Sequence, residues 1–351
     1  MIKPYCTNIY LMLQLIILKC LLGVIMFAIA FGVAALLALL FVPVFKKMAI
    51  RFDFTDKPTE RKLHITPIPL IGGVVMLSSF LIGFIIFVVV LDITTPDPLG
   101  VIGTAAVILG ALFITGVGLV DDYSKTHGKE FAVFPRVFVH FSVAVIAFIG
   151  GIRFTGIVNP FTSEYVFLPI WLQFFLTVLW FMGLISVFNF MDGLDGLAGL
   201  LALLSGVTLF IVAISMNQSD SAFMAILLVG TVAGFLKYNL PPAKIYMGDS
   251  GAYLLGFLLA VISLHGTFKQ ATLISMFIPI LAMGVPIFDS ILVVFRRLWA
   301  GRPAYKPDNT HHTHIHYRLV KAGLKPTHAV LIIFLLSLCL NLASIIVMLL
   351  L

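Results

Sequence analysis

The sequence predicts an all-α polytopic membrane protein of about ten transmembrane helices, with a cleft facing the cytoplasm. Three observations carry that expectation. Hydrophobic residues make up 61% of the 351 and charged residues 11%, at a mean hydropathy of +1.14, which is more apolar surface than one soluble core encloses. Apolar runs near 20 residues recur along almost the whole chain, the length with which a helix crosses about 30 Å of hydrocarbon. Basic residues collect in alternate loops, as the positive-inside rule requires of a multi-pass chain.

In order, the runs lie near 21–45, 70–91, 99–120, 133–151, 169–188, 197–215, 221–238, 250–267, 271–294 and 329–351. Residues 1–20 carry Lys3 and Lys19 around a short apolar stretch. They read as an uncleaved signal-like extension, an interfacial helix or a lengthened first span. Residues 21–351 then form a single integral-membrane domain. The loops after the odd-numbered runs hold seventeen of the twenty-two Lys and Arg, which puts those loops in the cytoplasm and both termini outside. The net charge of +7 follows from this topology, with anionic lipid or substrate as a further draw, and makes no case for nucleic acid. Cys6, Cys20 and Cys339 lie in or beside apolar runs without Cys-x-x-Cys spacing, so neither a disulfide framework nor a zinc site is expected from them.

The acids sort to the same side as the bases. Solvation at the membrane boundary accounts for Asp53, Glu60 and Glu130, but a carboxylate abutting an apolar run must be paired, wetted or bound to a cation. Four stretches stand out on that ground. In "GLVDDYSK", Asp121 and Asp122 end the third run with Lys125 after them; adjacent like charges persist most easily beside a cation or with one member protonated. In "FNFMDGLDGLAGL", on a helical trace Asp192 and Asp195 share a face that Asn189 extends with a neutral oxygen, and Gly193, Gly196 and Gly199 would let backbone or a ligand approach closely. In "KYNLPPAKIYMGDSGAYLLG", Pro241 and Pro242 break the chain before Asp249 opens the eighth run. A helix start there could hold phosphate, Asp249 offers a hard oxygen to a metal, and Tyr246 offers a flat face to a base. The longest polar loop gathers Arg296, Arg297, Arg302, His311, His312, His314, His316 and Arg318, an array suited to anionic phosphate.

These parts describe carboxylates for a divalent cation and bases for phosphates at a lipid boundary, as phosphoryl transfer needs. A cation- or proton-coupled transporter is the alternative of a different class. It would keep its ionisable groups near mid-bilayer, where Asp289, beside Pro286, is the only acid well inside a run.

"DDYSK", "NFMDGLDGL", "YNLPPAKIYMGDSG" and "HIHYRL", with "DKPTERKLHITPIPLIGG" upstream, resemble the polyprenyl-phosphate N-acetylhexosamine-1-phosphate transferases over roughly residues 45–325. The resemblance implies a ten- or eleven-helix fold in the inner (plasma) membrane with a cytoplasmic active site. It implies transfer of a sugar 1-phosphate from a UDP-N-acetylhexosamine to undecaprenyl phosphate, releasing UMP, with Mg²⁺ or Mn²⁺; a homodimer is left open. Carried over, Asp249 would be the metal ligand, with Asn189 beside it. Asp121, Asp122, Asp192, Asp195, His314 and His316 match catalytic positions, and Arg61, Lys62, Lys125, Asn239, Tyr246 and Arg318 are assigned to substrate. The chain departs from the family pattern at Ser186 and Tyr317, where Asn and His are frequent. The "HIHYRL" form is closer to the N-acetylglucosamine-1-phosphate branch than to the one acting on UDP-N-acetylmuramoyl-pentapeptide.

Overall fold

A computed structural model describes residues 3–56, 67–92, 99–128, 131–159, 162, 164–266, 276–301 and 314–350. Twelve helices run through them: α1 (Lys3–Arg51), α2 (Gly72–Asp92), α3 (Gly100–Thr126), α4 (Val133–Ile149), α5 (Ile170–Met191), α6 (Leu197–Ser215), α7 (Ser219–Asn239), α8 (Gly248–Gly266), α9 (Phe277–Ala282), α10 (Gly284–Trp299), α11 (Ile315–Lys321) and α12 (Pro326–Leu349). Two antiparallel pairs complete the described elements: β1 (Thr55–Asp56) with β2 (Ile68–Pro69), and β3 (Gly156–Val158) with β4 (Tyr165–Phe167). Eight of the helices are long and apolar enough to cross a membrane, and the chain is an all-α, multi-pass membrane protein.

Helix α8 is the axis of the bundle. It packs on α2, α3, α5, α6 and α7, and every residue from Ser250 to Gly266 is buried. Around it exposure rises outward, and Leu21, Val24, Ile29, Leu36, Leu40 and Val44 of α1 are exposed as lipid-facing residues are. Lipid tails are as apolar as leucine, so close backbone approach rather than burial holds such a helix to its neighbour. On α7, Gly230 and Gly234 supply it. A Cβ at Gly230 would lie 3.1 Å from the Ala34 side chain, and one at Gly234 would lie 2.8 Å from that of Ala38 on α1.

Pro286 and Pro43 each remove a helical hydrogen bond, and in each case another helix answers the freed carbonyl. Pro286 has no N–H for the Ala282 carbonyl four residues back. The chain breaks there, at Met283, between α9 and α10, and the Ser205 hydroxyl of α6 donates to the Ala282 carbonyl at 2.8 Å. The run expected as one span over 271–294 is therefore two helices, with residues 271–275 outside the described set. Nearby, Ser344 of α12 donates to the Ile278 carbonyl at 2.9 Å. Pro43 of α1 frees the Leu39 carbonyl, which the Tyr238 hydroxyl of α7 reaches at 3.5 Å. The expected fourth run is α4, 17 residues long, short of the roughly 20 of a perpendicular crossing.

Backbone pairing fixes the start of α8. Gly72 and Gly73 donate N–H groups to the Tyr246 and Met247 carbonyls at 3.0 and 3.1 Å, and the Tyr246 N–H returns to Pro69 at 2.8 Å. The "PIPLIGG" stretch is the dock for "IYMG".

Candidate active site

Described residues of the four polar stretches gather at the ends of α3, α5 and α7 and the starts of α8 and α11. Asp122, at the end of α3, is 1% exposed. Its Oδ1 accepts the Asp249 N–H at 2.8 Å, and its Oδ2 accepts the N–H and hydroxyl of Ser250 at 3.1 and 2.7 Å. Asp122 thus caps α8 from another helix, satisfying amides that a helix start leaves without partners. It also holds Asp249 in place.

Asp121, one residue earlier, points to a different set of partners. Arg136 of α4 spans its carboxylate, with Nη2 donating to Oδ1 at 2.9 Å and Nε 2.7 Å from Oδ2. The Tyr253 hydroxyl lies 3.3 Å from both Asp121 Oδ2 and Asp249 Oδ2. Lys125 Nζ donates to Asp249 Oδ2 at 2.5 Å and stands 3.9 Å from Asp121. Two acids and two cations therefore share one partly open cluster, with 15% of the Asp249 side chain and 41% of that of Lys125 exposed.

Asp192 caps the end of α5. Burial, reinforced by the charge of Asp249, pushes its carboxyl up to about 7, with Lys125 pulling the other way. Asp195 accepts the Ala243 N–H at 2.9 Å and so ties the α5–α6 turn to the loop before α8. Asn189 is partly buried one turn before Asp192. Asn239 is 2% exposed, and its amide donates to the Ile245 carbonyl at 2.9 Å, which makes it a brace for that loop. Burial and the charge of Asp195 raise the Tyr246 hydroxyl above its ordinary value.

The histidines arrive from α11. His316 is 0% exposed, and neither ring nitrogen has a hydrogen-bond partner among the described residues. Burial holds it neutral, down to about 4. Its ring packs 4.1 Å from that of Tyr317 and lies directly over Gly193. A side chain at Gly193 would collide with it. Gly193 admits this imidazole, Gly196 provides the left-handed turn (φ 74°) into α6, and Gly199 packs against Leu236. His314 packs against Phe190 at 5.2 Å with the rings tilted by 31°, and runs parallel to His316 at 5.9 Å. Arg318 is exposed on α11. Arg61, Lys62, Arg302, His311 and His312 lie outside the described residues.

Sequence reasoning passed over Arg136, Tyr253 and His140, whose ring meets that of Tyr253 edge-on at 4.8 Å. The available signal was an arginine in the first turn of an apolar run, costly in lipid unless paired.

Cations set over carboxylates at the membrane boundary can neutralise and align two phosphates, one carried by lipid and one by water; the chain is an integral-membrane phosphoglycosyl transferase. It belongs to glycosyl transferase family 4, whose family model matches residues 104–267. It is 32% identical over 318 residues to a probable undecaprenyl-phosphate N-acetylglucosaminyl 1-phosphate transferase of Bacillus subtilis, covering 91% of this chain and 84% of the relative. It is 31% identical to a decaprenyl-phosphate N-acetylglucosaminephosphotransferase of Mycobacterium leprae, covering 82% and 75%. It is 29% identical to an undecaprenyl-phosphate alpha-N-acetylglucosaminyl 1-phosphate transferase of Thermotoga maritima, covering 86% and 84%.

Proposed function

We propose that the chain transfers N-acetylglucosamine 1-phosphate from UDP-N-acetylglucosamine to undecaprenyl phosphate, releasing UMP at the cytoplasmic face of the plasma (inner) membrane. The names of the relatives support the donor and the lipid. The observation that carries the chemistry is the cluster of Asp121, Asp249, Lys125 and Arg136 at the mouth of the bundle. The basic loops support its cytoplasmic orientation, with both termini outside.

The donor set suits a hard divalent cation. Its atoms are oxygens, and Asp249 already holds a cation in the Lys125 ammonium. Asp249 and Asn189 would hold Mg²⁺, which when bound supplies charge neutralisation to the pyrophosphate and the departing UMP. Lys125 and Arg136 draw the phosphates in. Asp121, clamped by Arg136, orients the lipid phosphate or takes its last proton. A phosphate monoester has a second pKa near ≈ 6 and is largely dianionic at neutral pH. Its oxygen attacks the β-phosphorus directly, and the bond to the bridging oxygen breaks with its electrons leaving on UMP. The rival scheme forms a covalent aspartyl phosphate, and trapping that species would replace ours.

The test is UMP release by the purified protein with undecaprenyl phosphate and Mg²⁺, across UDP-N-acetylglucosamine, UDP-N-acetylgalactosamine and UDP-N-acetylmuramoyl-pentapeptide. Turnover of the first alone, abolished in Asp249→Asn, is expected. Turnover of another donor reassigns the sugar, and no UMP from any donor defeats the reading.

A further inference from the structure

Asp289 is the one acid that the sequence places well inside an apolar run, and the chemistry above leaves it without a task. It sits on the inward face of α10 at 8% exposure, while Phe288, Ile291 and Leu292 of the same helix are exposed. A carboxylate at that depth persists only with its oxygens satisfied. Its Oδ1 accepts the Ile315 N–H at 2.9 Å, and its Oδ2 lies 2.7 Å from His314 Nδ1. Both partners stand at the start of α11, so one side chain fixes the first turn of that helix and the ring that precedes it.

A carboxylate can only accept, which puts the shared proton on Nδ1, and a neutral imidazole protonated there keeps its lone pair on Nε2. Other contacts remove the remaining freedom of the ring. The Phe190 ring packs against it at 5.2 Å, tilted by 31°, and His316 lies parallel to it within 13°. Phe190 and His316 in turn flank the Asp192–Gly193 turn. We propose that Asp289 is a positioning residue that sets the tautomer and orientation of His314, leaving Nε2 as the nitrogen that works on the substrate. The proposal rests on the transferase reading, in which His314 acts at the active site. A carboxylate behind a functional histidine is a recurrent way to fix its working nitrogen.

Asp289→Asn separates the two tasks of the side chain. The amide oxygen can keep the Ile315 N–H, while its NH₂ faces Nδ1 as a donor and drives the ring proton to Nε2. In the full-length protein in detergent, kcat for UMP release should fall about 10²-fold with KM for the UDP-sugar nearly unchanged, and Asp289→Glu should recover part of the loss. In the Asp289→Asn background, His314→Gln should add little further loss. Histidine-selective nitrogen NMR, with the His314 signal identified by its absence in His314→Gln, should report Nδ1–H in wild type and Nε2–H in Asp289→Asn. Independent, multiplying losses in the double variant, or an Nε2–H tautomer in the wild-type spectrum, would overturn the proposal. The wild-type spectrum, once His314 is assigned against a folded His314→Gln, needs no turnover. A wild type that releases no UMP therefore defeats the transferase reading and still leaves the tautomer to be read.

Discussion

Arg136 touches both oxygens of Asp121, and removing it leaves a buried carboxylate with its principal cation gone. Arg136→Met should lower kcat/KM for UMP release about 10²-fold, with Arg136→Lys intermediate because a point charge cannot span two oxygens. Asp122 acts differently. Its three hydrogen bonds all go to the first turn of α8, so Asp122→Ala should destabilise the protein by about 2–3 kcal/mol, seen as a lower melting temperature without ligand. Asp192 and His316 make opposite contributions to pH dependence in the ligand-free protein. Asp192 is raised from 3.8 to about 7, so its contribution is full below 3.8 and is lost as pH rises through 7. His316 is lowered from 6.5 to about 4, so its contribution is full above 6.5 and is lost as pH falls through 4. Between those limits, Asp192→Asn should gain stability relative to wild type as pH rises, and His316→Gln should gain it as pH falls. Thermal melts in EDTA across that window check both signs. The acids themselves were legible in the sequence because charge beside an apolar run is rare. Their division into cap, ion-pair partner and turn residue was not, since it depends on which helix lies opposite.

The pattern repeats for the elements. The periodicity of apolar runs marks most helices to within a few residues, because hydrocarbon thickness sets their length. The break of the ninth run was half legible. Pro286 is visible in the sequence, but Ser205, which repairs it from 77 residues away, is known only once α6 and α9 are neighbours. Ser205→Ala should destabilise the bundle by about 1 kcal/mol, with a lower melting temperature in detergent as the readout. The seam between α1 and α7 is tighter. Gly234→Leu forces a branched side chain against Ala38 and the Ala35 backbone. It should cost about 3 kcal/mol or more and detach α1 from the bundle, measured as increased proteolysis of α1 in detergent.

For the whole molecule, the proposed orientation makes a direct test. In a background without native cysteines, Asn217→Cys and Leu350→Cys should react with an impermeant maleimide on intact cells, while Lys244→Cys and Lys321→Cys should react only after permeabilisation. All four positions are exposed in the structure. The burial gradient from α1 to α8 bears on how the chain is made. A helix leaving the ribosome meets only lipid and the segments synthesised before it. Helix α1 precedes the other described spans and is the one that can best stand alone, with the highest mean hydropathy among them, 2.9, over a stretch that is only 11% buried. Helix α8, with Asp249, Tyr253, Ser263 and His265, is the one bilayer lipid would accept least. Its neighbours α2, α3, α5, α6 and α7 all precede it in the chain. The helix that carries the site is thus inserted into a cradle already present, and the translocon never has to release it into lipid on its own.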